Sequence, residues 1–321
     1  MDSLPREILY FWIDKEKSVV CKWWYDIWCT KPMTIMTHDA DWSPQQFAKY
    51  KNIVTLIPDS KFNAPINALT TLRSLIMDTN NHINDRMLRD MTGITKLSFG
   101  TSSQITGRSL RYLTNISDLD IENNLMITDD SLKYLTNITK LNIRRNYLIT
   151  DVSMRCLTNM RYLKLMGNDH VTDNSVKYLT NLQHLSMVHC TNVTDISLKM
   201  LTNMVKFDIS DCFHLEHTSL KYMTNLTEIR SRDSNLVGEH LIELTSLKSL
   251  ALDGEGHVGG DSIKHLTNLE RLYLNFYVTV MTEDICALTN LEELHLGFDP
   301  CIDCIVIKRV LPKLEIIWNS W

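Results

Sequence analysis

The chain has 321 residues, 44% of them hydrophobic, and a formal charge of -5 with a pI near 6.1. That is ordinary for a folded protein, and it argues against a general nucleic-acid or anionic-membrane binder, which needs a basic surplus or a basic stripe; no such stripe appears along the chain. No run approaches the ~18 apolar residues of a membrane span, MDSLPREIL carries charges where a secretion signal has its apolar core, and eight cysteines are too few for a disulfide scaffold, so free thiols are expected in a reducing, cytoplasmic or nucleocytoplasmic compartment.

The first 45 residues read as a helical head. In LPREIL, Ser3 stands as a cap, Pro5 lies in the first turn and Glu7 comes close behind, a helix start. SVVCKWWYDIW then reads as a second helix with aromatic residues three and four apart. Trp12, Trp23, Trp24, Trp28 and Trp42 could cover the end of a core built by the residues after them.

From about residue 46 onward the chain repeats one pattern. LTNL or a relative begins at Leu69, Met91, Leu113, Leu135, Leu157, Leu179, Leu201, Met223, Leu244, Leu266, Leu288 and Leu311, at a spacing of 22 residues with one step of 21 and one of 23. A degenerate unit can be traced one period earlier at Phe47, Tyr50 and Ile53, giving about 12 to 13 repeats over residues 46–321. Within a unit, Ile138, Leu141 and Ile143 end in a period-two alternation that predicts a short strand. Three residues further on stands Asn146, matched by Asn80, Asn124 and Asn168, then by Cys190, Cys212 and Ser234. A chain leaving a strand inside a stacked coil faces the next coil and not water, so a small polar side chain must satisfy its backbone there. ITDVS, ITDDS, VTDNS and VTDIS come next in their units, and their Thr and Asp are expected to cap a helix of about two turns. The sequons at Asn115, Asn137, Asn192 and Asn225 fall at repeat positions and need no glycan to explain them.

This pattern resembles the leucine-rich repeat, between the internalin-like 22-residue type and the cysteine-containing type. The resemblance implies an α/β solenoid, a horseshoe with a parallel sheet on its concave face and short helices on its convex face, preceded by the small helical cap. About twelve strands at ~4.8 Å would make a spine of roughly 55 Å.

The head, placed before such an array, resembles an F-box. Leu4, Pro5, Ile8 and Leu9 meet its opening pattern, and Val20, Cys21, Lys22, Trp24 and Tyr25 its closing one, with a shorter interval between them than ordinary F-boxes have. The resemblance implies that Leu4, Pro5, Ile8, Leu9, Val20, Cys21 and Trp24 bind the Skp adaptor of a cullin-RING ubiquitin ligase of SCF type. The chain would then be a substrate receptor. Abbreviated F-boxes are familiar from large DNA viruses that recruit host ligases, which would place the protein in host cytoplasm. The alternative is a plain scaffold whose tryptophans only cap the stack.

No enzymatic chemistry is expected. GEGHVG, Gly254 to Gly259, satisfies a dinucleotide fingerprint, but its glycines fall in the ladder turn of a repeat that offers no crevice for a pyrophosphate. CIDC, Cys301 to Cys304, is half a zinc site without its other half, so packed thiols are expected and no metal. No cofactor loop and no Ser, His and Asp set can be assembled.

The residues flanking the strand leucines should line the open face and hold an unknown target protein. Asp118, Asp120 and Glu122, with Lys140, Asn142 and Arg144 on the next strand, read as lateral charge pairing. Tyr162, Lys164, Met166 and His184 form a mixed aromatic, basic and apolar surface, and Arg230, Arg232, Arg271 and Tyr273 carry groups that dominate protein interfaces. At the other end LEIIWNSW is an apolar last strand, over which Trp318 and Trp321 either fold back or mediate self-association through its free edge.

Overall fold

The structure is a computed structural model and describes residues 32–37, 52–67, 69–77, 80, 82–101, 104–232, 236–254, 258–275, 280–297 and 302–318. The F-box-like residues, Ser234, Glu255, Cys301 and Trp321 lie outside them. The chain forms two compact units, residues 1–138 and 139–321.

The first unit holds five parallel strands, β1 (Met33–Met36), β2 (Ile53–Ile57), β3 (Ser74–Ile76), β4 (Lys96–Ser98) and β5 (Asp118–Asp120), each paired with the next. The segment read from sequence as a helical head thus contributes a strand, β1, to the ladder. The second unit holds nine: β6 (Lys140–Asn142), β7 (Tyr162–Met166), β8 (His184–Val188), β9 (Lys206–Asp208), β10 (Glu228–Arg232), β11 (Ser249–Asp253), β12 (Arg271–Asn275), β13 (Glu293–Leu296) and β14 (Glu315–Trp318). Their pairing is parallel and keeps chain order. This is the leucine-rich-repeat solenoid. Ile138, Leu141 and Ile143 are wholly buried, and their equivalents in the coils before the last strand are buried too. Each such side chain contributes roughly 1.5–3 kcal/mol.

Three hydrogen-bond ladders tie coil to coil. In the first, the Asn168 amide nitrogen donates to the Asn146 carbonyl at 2.6 Å, while its oxygen accepts from the His170 amide at 3.2 Å. Asn124 donates to the Gly100 carbonyl and accepts from Met126 and Ile127 in the same way. Cys190 and Cys212 continue the position with longer thiol bonds to carbonyls, and burial pushes their pKa values up to about 12 and about 11, so both stay protonated and inert.

The second ladder divides the work of the TDxS motif. Thr172 caps its own helix by accepting from the Asn174 amide, but Asp173 reaches the next coil, accepting from the Thr194 amide at 2.8 Å, its hydroxyl at 2.6 Å and the Ser197 hydroxyl at 2.5 Å. Asp151 holds Thr172 and Ser175 likewise. The expectation that Asp caps its own helix is therefore corrected. The helices are also shorter than expected: Asp151–Met154, Asp173–Val176 and Asp195–Leu198 make one turn each, because Leu157 and its equivalents must return to the core.

In the third ladder the Asn of LTN donates to the carbonyl of the Thr one coil back, as Asn181 does to Thr158 and Asn203 to Thr180, both at 3.0 Å. This accounts for the sequons at Asn115 and Asn137, whose amides bond to Thr92 and Thr114.

Several coils leave their strands through a left-handed residue. Asn123, Arg145, His189 and Asp211 have φ between 53° and 59°, and Gly167 and Gly254 stand at the same place with φ of 61° and 89°. The first glycine of GEGHVG is thus a turn residue, placed where any other side chain is strained.

The helix motif lapses near residue 217. Short 3-10 turns at Leu220–Tyr222 and Gly238–His240 replace the α-turns, and His217 is buried with its Nε2 unpartnered, 6.4 Å from the His240 ring. Burial, opposed by Asp195 and reinforced by His240 and His214, lowers its pKa to about 4.

Asn168→Ala strands a buried carbonyl and amide and should cost about 2–3 kcal/mol in urea unfolding, whereas Asn181→Ala, on the exposed ladder, should cost under about 1 kcal/mol. The unfolded chain protonates His217 near 6.5 and the folded chain only near 4, so its contribution is intact above pH 6.5 and is lost as pH falls from 6.5 to 4. The loss should reach about 3 kcal/mol, and His217→Asn, which keeps a residue tolerant of positive φ, should flatten that pH dependence.

Candidate binding surface

The strands alternate by two, so one set of side chains enters the core and the other faces outward. In the second unit the outward set forms two aromatic clusters with a charge network between them.

The first cluster spans β7 and β8. Tyr162 lies opposite His184 in register, with ring centroids 5.7 Å apart, and the Lys164 ammonium stands 5.7 Å from the Tyr162 ring. Arg144 donates from Nε to the Met166 sulfur at 3.3 Å. Burial and the neighbouring Lys206 and Lys140 lower the pKa of His184, with Glu228 opposing them, so the ring is neutral at physiological pH. Tyr162, Lys164, Met166 and His184 are therefore brought together as the sequence suggests.

The second cluster spans β12 and β13. Tyr273 stacks on His295 with centroids 4.1 Å apart and planes 17° from parallel, and His295 Nε2 lies 3.5 Å from the Glu293 carboxylate. The sequence pattern singles out Tyr273 and passes over His295, although 295 is 273 plus one period of 22 and the offset alone would have found it.

Between the clusters the charges are paired laterally. Lys206 bonds Glu228 at 2.6 Å, and Arg271 reaches the same carboxylate at 3.8 Å by passing over the small Ser249 of β11. Arg232 meets Asp253 at 2.8 Å, and the other oxygen of that carboxylate accepts from Asn275 at 2.9 Å. Arg232 and Arg271 thus each have a carboxylate partner on the sheet face. Arg230 is exposed and makes no salt bridge among the described residues. In the first unit Lys96, which the sequence pattern does not single out, meets Asp118 on the next strand at 3.2 Å.

Among the described residues no three His, Cys, Asp or Glu side chains could hold a metal ion. Cys286 and Cys304 are half-buried thiols whose pKa values burial raises. No helix among the described residues is long and apolar enough to cross a membrane.

No family model matches the chain, and no curated protein does. Solved structures do. An internalin (inlF) from Listeria monocytogenes covers 80% of this chain with 82% of its own, at 22% identity and a TM-score of 0.58. A leucine-rich-repeat protein from Leptospira interrogans covers 93% of this chain with 86% of its own, at 16% identity and a TM-score of 0.60. The structure of a TLR13 complex with single-stranded RNA covers 84% of this chain with 47% of its own, at 18% identity and a TM-score of 0.60. These likenesses establish the fold.

The Arg271 and Glu228 groups are each more than a third exposed or nearly so, at 39% and 34%, so a double-mutant cycle between them should give a coupling below about 1 kcal/mol. His184 should titrate with a midpoint below 6.5 when monitored by NMR.

Proposed function

Starting from a leucine-rich-repeat solenoid whose open sheet face presents prearranged aromatic and charged groups, we propose that the chain is a non-catalytic binding protein. Its target is a protein held on the open face of the second unit. The observation that carries this reading is the pair of aromatic clusters, Tyr162 with His184 and Tyr273 with His295, flanking cations already fixed by carboxylates. Groups held in one geometry lose little entropy on binding, and Tyr and Arg are the residues that dominate interface energetics.

The same reading extends to the head. Leu4, Pro5, Ile8 and Leu9, with Val20, Cys21 and Trp24, would engage a Skp adaptor and make the chain a substrate receptor of a cullin-RING ligase, with ubiquitin transfer catalysed elsewhere. Its support is the order of the two motifs in the sequence and their place ahead of the repeats. A specific observation favours the other reading of the head: β1, at Met33–Met36, pairs with the repeat strand β2, as expected if the segment before it covers the end of the stack.

Calorimetry of the purified chain with a Skp adaptor separates the two. The receptor reading expects submicromolar binding that a Leu4→Ala/Trp24→Ala variant loses while its repeats stay folded. Absent binding, with a poorly folded variant, assigns the tryptophans to a lid and leaves the open face as the functional surface. Self-association through β14, where Trp318 is 57% exposed, would show as a dimer in light scattering, and monomer at high concentration removes it.

A further inference from the structure

One regularity crosses every coil from the third to the ninth strand and is invisible in any short stretch of sequence. Arg89, Arg111, Lys133, Arg155, Lys177, Lys199 and Lys221 succeed one another at 22 residues without a break. The structure puts each at the end of the helical turn of its coil: six of them are C-cap residues, and Lys221 sits within the turn Leu220–Tyr222. Within each unit, the basic stripe that the linear sequence lacks is therefore formed by stacking.

In the second unit the column consists of Arg155, Lys177, Lys199 and Lys221, and the helices bearing the first three pack against one another in order. Like charges therefore repeat once per coil along the packed turns. Among the described residues none of the four forms a salt bridge, in contrast with the sheet face, where Lys206, Arg232 and Lys248 each meet a carboxylate on the next coil. The aspartates of the same helices, Asp151 and Asp173, sit at the opposite end of each turn and are tied to the next coil by three hydrogen bonds apiece. A helix-dipole role does not explain the column, since a one-turn helix has little dipole to compensate. It also leaves unexplained why a tyrosine stands next to the cation: Tyr178 and Tyr222 are 51% and 46% exposed, with Lys177 and Lys221 each within 5.3 Å of the ring centroid. The first unit repeats the arrangement, with Arg89 and Arg111 both beside the Tyr112 ring.

We propose that this column on the helical side of the second unit binds a single-stranded nucleic acid, its phosphates lying along Arg155, Lys177, Lys199 and Lys221 and its bases stacking on Tyr178 and Tyr222. A single file of cations suits a chain-like polyanion better than the plane of a membrane. Rings placed beside the file suit bases and have no counterpart in an acidic peptide. The site is separate from the open sheet face and independent of any adaptor.

The test is fluorescence anisotropy of the full chain with a labelled oligouridylate 15-mer. If four phosphates are engaged, raising monovalent salt from 50 to 200 mM should weaken binding about fifty-fold. A Lys177→Glu/Lys199→Glu variant should weaken it at least about tenfold at 50 mM salt. Tyr178→Ala/Tyr222→Ala should weaken it at least about thirtyfold through lost stacking. All the substituted groups are at the surface, so unchanged thermal unfolding is expected in each variant. Absence of binding, or binding that the charge reversals leave unchanged, overturns the proposal. So does equal competition by polyglutamate, or capture by phosphatidylserine vesicles when the oligonucleotide does not bind.

Discussion

The structure depends on one constraint: a coil whose turns are buried against its neighbours must find in those neighbours the hydrogen bonds that water would otherwise provide. Asn168 serves the carbonyl of Asn146, Asp173 serves the amide and hydroxyl of Thr194, and Asn181 serves the carbonyl of Thr158. Each bond runs to an adjacent coil, so stability accumulates as nearest-neighbour terms and no single centre holds the core. The repeat in the sequence is in large part a record of these bonds. Leucine spacing builds the wall, and polar residues lock one course of it to the next.

Where the polar partner changes, the geometry responds in graded ways. Cys190 and Cys212 occupy the asparagine position and stay buried, but a thiol offers only weak bonds, and the coil keeps its form through the other two ladders. Where TDxS is lost, around His217, the α-turns tighten to 3-10 and an imidazole is enclosed without a partner for its Nε2. The buried His217 makes that stretch one place where a fall in pH should weaken the fold.

Charge is arranged differently on the two sides of the coils. On the sheet side, neighbouring strands alternate in sign, so the field is quenched locally and aromatic residues stand out between the pairs. On the helical side, cations and aspartates stand at opposite ends of each turn and form separate columns, each repeating one sign from coil to coil. A net charge of -5 describes neither face. Composition constrains what a protein does only when its charges are mixed at random over the surface, and a solenoid sorts them by column.

By itself the sequence determined the period, the buried leucines, the asparagine ladder and the membership of the open face, because each is a local pattern read at 22-residue steps. It also placed Tyr162, Lys164, Met166 and His184 together, since parallel strands in register bring equal positions side by side. Tertiary structure decided the rest. That Asp173 serves the next coil and not its own helix is decided by both its carboxylate oxygens reaching across the stack. That Arg271 shares Glu228 with Lys206 depends on the small Ser249 lying between β10 and β12. That β1 extends the ladder from within the head is a matter of strand pairing, without a repeat to announce it. The cationic column shows the division most plainly: its members are 22 residues apart in a chain that is acidic overall, and only the stacking of coils at ~4.8 Å turns them into neighbours.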